Sequence, residues 1–357
     1  MKKITCIIPT LNVGGTELFL LSLMKEFSTR NNHVQVVTLL GNGNLTNQFI
    51  AIDNLTLVVN KTSKTYVETI RKIKLFKPHA IITFLYPSDI FSLVLFVLNK
   101  HIPIIWNVRN SKLEGKFKIF KLIILFLLGF ISYFVPKNIV FVSQKGLKLH
   151  KKFLYSGTKS VYIPNWCRLV KTCEPKLYDK KQSIRLCCMG RFSSAKNYIN
   201  IFKSFYLLDN INVSLCVNIA GRNVEKEWVA WKNVNEISFS SQFSITFVEH
   251  INDVQTFFRD SNFFLLASLH EGFPNVLLES VLSGCFPIVT NAGDSFSIVQ
   301  DFGVKIKGYT SHSIQKGIMD AFSYTPEKIA HNVFQLQKLI KSNFQKQKII
   351  DKYLALV

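Results

Sequence analysis

Short runs rich in β-branched and aromatic residues recur along this chain, with longer stretches of helical spacing between most of them, and that rhythm constrains the fold more than any other feature. The runs "ITCIIPT", "HVQVVTLL", "LTLVV", "HAIITFLY", "PIIWNV", "NIVFVS" and "SVYIP" open the series. After Pro164 the pattern loosens through "NWCRLVKTCEPKLYDKKQS", which has lysine-rich patches, a proline and no period. It then restarts with "IRLCCMG", "VSLCVNIAG", "FSITFVE", "NFFLLAS" and "FPIVTN". Nearly continuous apolar runs of this length read as strands buried on both faces, which requires parallel pairing and a helical crossover between neighbours. The expected fold class is α/β, with two doubly wound Rossmann-like domains facing a central cleft. The expected boundaries are 1–166 for the first domain, 167–183 for a linker and 184–338 for the second domain. Residues 339–357 are expected to form a C-terminal helix packing back toward the first domain.

Lysine and arginine number 44 against 22 aspartates and glutamates, a net charge of +22. Such a surface attracts phosphate-rich partners: a nucleotide, an anionic membrane face or a nucleic acid. No helix-turn-helix, zinc-finger or RNP-type signature accompanies the charge, so nucleic acid is not expected as a partner. The cysteines Cys6, Cys167, Cys173, Cys187, Cys188, Cys216 and Cys285 form no C-x-x-C pair. They read as small hydrophobes in a reducing compartment. The start "MKKITCIIPT" reads as a first strand and not as a secretory signal, because Pro9 cuts the apolar run short. In "KFKIFKLIILFLLGFISYFVPK" the charge-free run Leu122 to Val135 is shorter than the roughly 20 residues that span a bilayer. It suits a buried or interfacial helix.

Chemistry concentrates in three places. In "HEGFPNVLLES" Pro274 suits the first turn of a helix, leaving Asn275 and Val276 to present free N–H groups as an anion site. Glu271 before that helix and Glu279 inside it are acceptors for hydroxyls beside such an anion. In "MGRFSSAKN" Arg191 ends a strand and Lys196 opens the next helix, a placement that neutralises a diphosphate and its developing charge. In "NVGGTE" Gly14 and Gly15 allow close approach of the backbone to a ligand, with Glu17 at the helix start. No D-x-D sequence and no His or Cys spacing of a metal site occurs, so no metal is expected.

Together these stretches resemble the family 4 retaining glycosyltransferases. The resemblance covers "IPTLNVGGTE", "NIVFVSQKGLKLH", "VYIPN", "MGRFSSAKN", "FVEHINDV" and "SLHEGFPNVLLESVLSGCFPIVTN", the last with an E-x7-E spacing. It implies the GT-B fold, an acceptor-binding first domain and a nucleotide-sugar-binding second domain. It also implies metal-independent transfer from a nucleotide-diphosphate sugar, with a UDP-sugar favoured and no further cofactor. By the same resemblance Arg191, Lys196 and Glu271 are the catalytic group. The donor-binding set is Gly15, Gly190, Arg191, Lys196, Gly272, Phe273, Pro274, Asn275, Val276 and Glu279, with Glu271 on the donor sugar and Glu279 on the ribose hydroxyls. The chain departs from the family after its fifth strand, where Arg109 and Asn110 replace a histidine. It also lacks the small residue and acid after the asparagine in "IPNWCRL", and has Ser297 where relatives often place a glutamate. Gly14, Arg109 and Asn110 are taken as contacts to sugar or acceptor.

The apolar run is flanked by Lys116, Lys118, Lys121, Lys137, Lys145, Lys148, Lys151 and Lys152, a pattern suited to anionic lipid. The expected function is transfer of a hexose or N-acetylhexosamine to a lipid-linked or surface-polysaccharide acceptor such as O-antigen, capsule or lipooligosaccharide. The expected location is cytoplasmic, on the inner face of the cell membrane. A GT-B nucleotide-sugar epimerase is the alternative, and a basic nucleic-acid-binding protein a remote one.

Overall fold

The structure is a computed structural model describing residues 1–60, 65–109, 118–169, 171–175, 183–209, 214–251 and 253–357, the side chains of 118–120 excepted. The chain divides into two compact units, Met1–Asn165 with Gln347–Val357, and Trp166–Lys346.

The first unit carries strands β1 (Lys3–Ile8), β2 (His33–Thr38), β3 (Leu55–Val59), β4 (Ala80–Phe84), β5 (Ile104–Val108), β6 (Asn138–Phe141) and β7 (Ser160–Tyr162). They form a sheet in the order β3-β2-β1-β4-β5-β6-β7, parallel throughout. The second unit carries β8 (Ile184–Met189), β9 (Leu215–Ala220), β10 (Phe243–Val248), β11 (Phe263–Leu266), β12 (Phe286–Thr290) and β13 (Val304–Ile306). Their order is β10-β9-β8-β11-β12-β13, again all parallel. Each apolar run of the sequence is one of these strands. β13 gave no signal, because three residues with a lysine in the middle show neither a run nor a period.

In the first unit Leu20, Leu23, Met24 and Phe27 of helix Gly15–Thr29 are buried. The C-terminal residues join this unit through Tyr353, which is fully buried. Its hydroxyl accepts from Asn107 Nδ2 at 2.8 Å, and its ring lies 5.9 Å from that of Phe19. Arg30 and Asp351 add a surface ion pair at 2.7 Å. In the second unit Phe202, Trp228, Trp231, Phe239 and Phe243 make a cluster of ring contacts in which Phe239 stacks on Phe243 at 4.2 Å. The segment after Asn165 packs on this unit. Cys173 N–H donates to Leu282 O at 2.8 Å and Gln337 Nε2 to Cys173 O at 2.9 Å. All seven cysteines are free thiols, with Cys6, Cys187, Cys188 and Cys285 buried. Among the described residues no helix is long and apolar enough to cross a membrane.

A buried polar network lies inside the first unit. Trp106 Nε1 donates to Ser92 Oγ at 3.0 Å, and Thr83 Oγ1 donates to Asp89 Oδ1 at 2.5 Å. The His150 Nδ1–H donates to Gly146 O at 2.8 Å, since a carbonyl only accepts, so Nε2 accepts from the Tyr86 hydroxyl at 2.7 Å. Burial holds this imidazole neutral by lowering its pKa to about 4. Burial likewise pushes the Asp89 carboxyl up to about 8, against the Thr83 bond that lowers it. The folded chain then keeps a proton on Asp89 that the unfolded chain releases near pH 4, so this group's contribution to stability falls as pH rises from about 4 to about 8. Asp89→Asn is expected to flatten stability over that window relative to the parent, read by urea midpoints at several pH values. Parallel profiles for parent and variant would show that Asp89 titrates normally.

Candidate functional site

In the second unit the strand order reverses direction at β8 and β11. Loops leaving the carboxyl ends of two strands at such a point diverge and open a crevice where ligands bind in this architecture. The stretch "MGRFSSAKN" follows β8 and "SLHEGFPN" follows β11, so both come to the same crevice.

The β8 loop turns at Gly190, whose φ of +149° lies where L side chains are rarely found. A Cβ there would stand 2.9 Å from Cε of Lys196, which lies over the glycine. Gly190 is pinned from three sides: its N–H donates to Ala220 O at 2.8 Å, its carbonyl accepts from the Tyr198 hydroxyl at 2.7 Å, and the backbone of Gly221 packs against its carbonyl. A one-turn helix, Ser194–Lys196, then ends at Asn197 in the left-handed region. Asn197 Nδ2 bridges to Ala267 O and Tyr309 O at 3.2 and 2.9 Å, tying this loop to the end of β11. Arg191 is exposed and makes no ion pair among the described residues.

On the β11 side Glu271 is half-buried and Oε1 accepts from Lys196 Nζ at 2.6 Å and from Ser268 Oγ at 2.7 Å. The structure thus joins directly two residues that the sequence placed only in one neighbourhood. Ser268 is in turn held by Thr290, whose hydroxyl donates to its carbonyl at 2.6 Å. Gly293, with φ +54°, lets the next loop close on the Glu271 backbone. Gly272 and Val276 are half-buried, and Phe273 and Pro274 are buried. Phe273 packs on Phe344 at 5.6 Å between ring centroids.

Two details of the helix start differ from the sequence expectation. The helix is Asn275–Leu282, so Pro274 is its cap and not its first helical residue. The Asn275 N–H is not free, because the turn at Pro274 directs it to Phe273 O at 3.0 Å; Leu277 N–H bonds Pro274 O. Glu279 lies inside the helix, 2% exposed. Its Oε1 accepts from Arg168 Nε and Nη2 at 2.9 and 2.7 Å, while Oε2 has no hydrogen-bond partner. Burial raises the Glu279 pKa and Arg168 opposes that rise. The sequence reading did not single out Arg168, Ser268, Asn197 or Gly293. A serine, an asparagine or a lone arginine among many lysines carries no local signal, and their roles depend on contacts across the fold.

In the first unit Gly14 caps helix Gly15–Thr29 in extended conformation, and a Cβ there would meet the Glu17 carboxylate. Nothing lies within 4 Å of a Cβ placed on Gly15, so the backbone is open to approach. Arg109 is buried: Nη2 donates to Asn165 Oδ1 at 2.7 Å and the guanidinium stacks 4.1 Å above the Phe19 ring. Burial lowers its pKa to about 10, against the neighbouring Tyr353 and Glu17. Asn110 and Lys116 lie outside the described residues. Helix Lys118–Ile131 buries Leu125 and Leu128 yet exposes Ile123, Phe126, Leu127 and Phe130, followed by Tyr133 and Phe134. Lys137, Lys145, Lys148, Lys151 and Lys152 are exposed nearby in sequence.

The second unit thus offers an exposed guanidinium for anionic oxygen, a lysine–glutamate pair in the crevice, and a buried carboxylate oxygen without a partner that can accept from a hydroxyl. Those groups suit a ligand that carries phosphate and hydroxyls together.

Residues 173–336 match the family model described as Glycosyl transferases group 1, a segment inside the second unit and somewhat under half of the chain. No curated protein sequence matches the chain. Among solved structures it is similar to Anabaena HepE in complex with UDP and glucose, at TM-score 0.80 and 13% identity over 99% of both chains. It is similar to a glycosyltransferase from Rickettsia africae, at TM-score 0.76 and 15% identity over 99% of this chain and 97% of that one. The apo form of the lipopolysaccharide outer core galactosyltransferase WaaB gives TM-score 0.72 and 13% identity over 99% and 98%. The fold is GT-B, with two Rossmann-like domains.

Gly190→Ala is expected to lower stability by about 1–3 kcal/mol through left-handed strain, measured by denaturant unfolding. The clash with Lys196 adds to it, and an unchanged midpoint would show that the loop relaxes freely.

Proposed function

We propose that this protein is a retaining, metal-independent glycosyltransferase that moves a hexose or N-acetylhexosamine from a UDP-sugar to a lipid-linked or surface-polysaccharide acceptor. One observation carries the reading: at the carboxyl ends of β8 and β11 the Lys196–Glu271 pair lies over Gly190, and the helix that follows holds a buried Glu279 with one oxygen unpaired. It lies within the segment matched to the glycosyl transferases group 1 model. The UDP and glucose bound to HepE support a UDP-sugar donor, and the similarity to WaaB, a lipopolysaccharide outer core galactosyltransferase, supports a surface-glycan acceptor.

In this reading the second unit takes the donor and the first the acceptor. Arg191, Lys196 and the helix start at Val276 meet the diphosphate charge; Phe273 to Val276 line the sugar. Glu271 reads a sugar hydroxyl and Glu279 a ribose hydroxyl. The acceptor oxygen bonds to the anomeric carbon as that carbon's bond to the diphosphate oxygen breaks. The leaving phosphate takes the acceptor's proton on the same face, so configuration is retained and no separate base is required.

Attachment to the inner face of the cell membrane belongs to the same reading. A helix apolar on its outward face as well as its inward one needs a cover. Anionic lipid fits the adjoining lysines, each contributing about 1 kcal/mol near such a surface.

A screen of nucleotide sugars by thermal shift tests the donor. Saturation at a hundredfold excess over Kd stabilises by about 2.7 kcal/mol, so one nucleotide sugar should raise Tm clearly, and none doing so would overturn the assignment. Lys196→Ala and Glu279→Ala should lower sugar transfer by about a hundredfold or more while unfolding cooperatively; near-parental rates in both would remove these residues from the site. Conversion of the labelled donor without acceptor would identify an epimerase instead. In sedimentation with anionic vesicles, the protein should pellet at low salt and be released at high salt, and Phe130→Asp should weaken pelleting. Absence of pelleting at low salt would rule out membrane attachment.

A further inference from the structure

The ion pair between Arg168 and Glu279 is built on a single oxygen. Arg168 Nε and Nη2 converge on Oε1 at 2.9 and 2.7 Å, whereas the guanidinium fork frequently gives one nitrogen to each carboxylate oxygen. The other oxygen, Oε2, is buried without a partner on a side chain 3% exposed. An unsatisfied buried acceptor is costly, and it persists where something else is meant to fill it. A hydroxyl donor fills it, since a carboxylate only accepts.

Arg168 sits in "NWCRL", the stretch where the chain lacks the small residue and acid seen in the family. Its side chain is 45% exposed, so the guanidinium pairs with the carboxylate from a side chain that still meets solvent. The titratable or charged groups that face Glu279 among the described residues are Arg168 and the Cys167 thiol, which burial keeps protonated. Arg168 is thus the group that compensates this buried charge.

We infer that Arg168 is a positioning residue for the nucleotide: it grips Glu279 by Oε1, so that Oε2 is presented to a ribose hydroxyl. The inference rests on the reading of the second unit as a nucleoside-diphosphate site. Without Arg168, burial acts on Glu279 unopposed, and its pKa rises further. The protonated carboxyl is a poorer acceptor, so nucleotide affinity falls away at a higher pH than in the parent. A lysine supplies charge from a single head group without the fork, and restores part of the effect.

Calorimetric titration of the full chain with UDP, GDP and ADP, and with their 2′-deoxy and 3′-deoxy counterparts, across about pH 5 to 9 tests this. The parent should bind one ribonucleotide about tenfold tighter than at least one of its deoxy forms. Arg168→Met should bind that ribonucleotide about tenfold more weakly, lose the ribose preference and lose affinity at higher pH. Arg168→Lys should fall between them. Parental affinity, preference and pH profile in Arg168→Met would overturn the inference while leaving the nucleotide site standing, as would a lower Tm with those properties unchanged. A parent that binds ribo and deoxy forms equally overturns it as well. A parent that binds no nucleotide overturns the underlying reading together with it.

Discussion

The point where the second sheet reverses its strand order is the constraint from which the candidate site follows. Parallel strands need crossovers, and crossovers running outward in both directions from β8 and β11 leave the two loops at their carboxyl ends without helices between them. Gly190, Lys196, Glu271 and the start of helix Asn275–Leu282 lie on those two loops. Asn197 on the first loop donates to Ala267 O at the end of β11 and to Tyr309 O beyond β13, so the spacing of the loops is tied to backbone carbonyls and does not depend on long side chains alone.

Charge in this site is balanced locally. Lys196 is matched by Glu271, and Glu279 by Arg168; Arg191 remains unmatched and exposed. The second pair is asymmetric in burial, with Glu279 deep and Arg168 near solvent. A buried carboxylate survives in such a place only when a cation and hydrogen bonds compensate its lost hydration. The open oxygen of Glu279 is what remains of that requirement.

The first unit resolves a different problem. Its C-terminal residues are drawn in by Tyr353, whose hydroxyl meets Asn107 and whose ring lies near Phe19, and Arg109 fills the same interior. That arginine gives Nη2 to Asn165 and its flat face to Phe19, a stacking that suits a guanidinium better than an ammonium. The outward face of helix Lys118–Ile131 stays apolar among lysines, although its inward face already supplies Leu125 and Leu128 to the core.

The sequence by itself determined the α/β class and nearly every strand, because runs buried on both faces must be continuously apolar and therefore announce themselves. It also brought forward Lys196, Glu271 and Glu279, whose charges stand out against the apolar strands and helix they adjoin, and, through the family resemblance, Gly190. The tertiary structure alone decided that Lys196 bonds Glu271, that Arg168 reaches across more than a hundred positions to Glu279, that Arg109 is buried, and that Asn275 spends its N–H within its own turn. The physical reason is the range of the forces: burial periodicity and backbone preference act over a few residues and are written locally. Ion pairs and hydrogen bonds between loops depend on distances that exist only after the sheet has set its strand order.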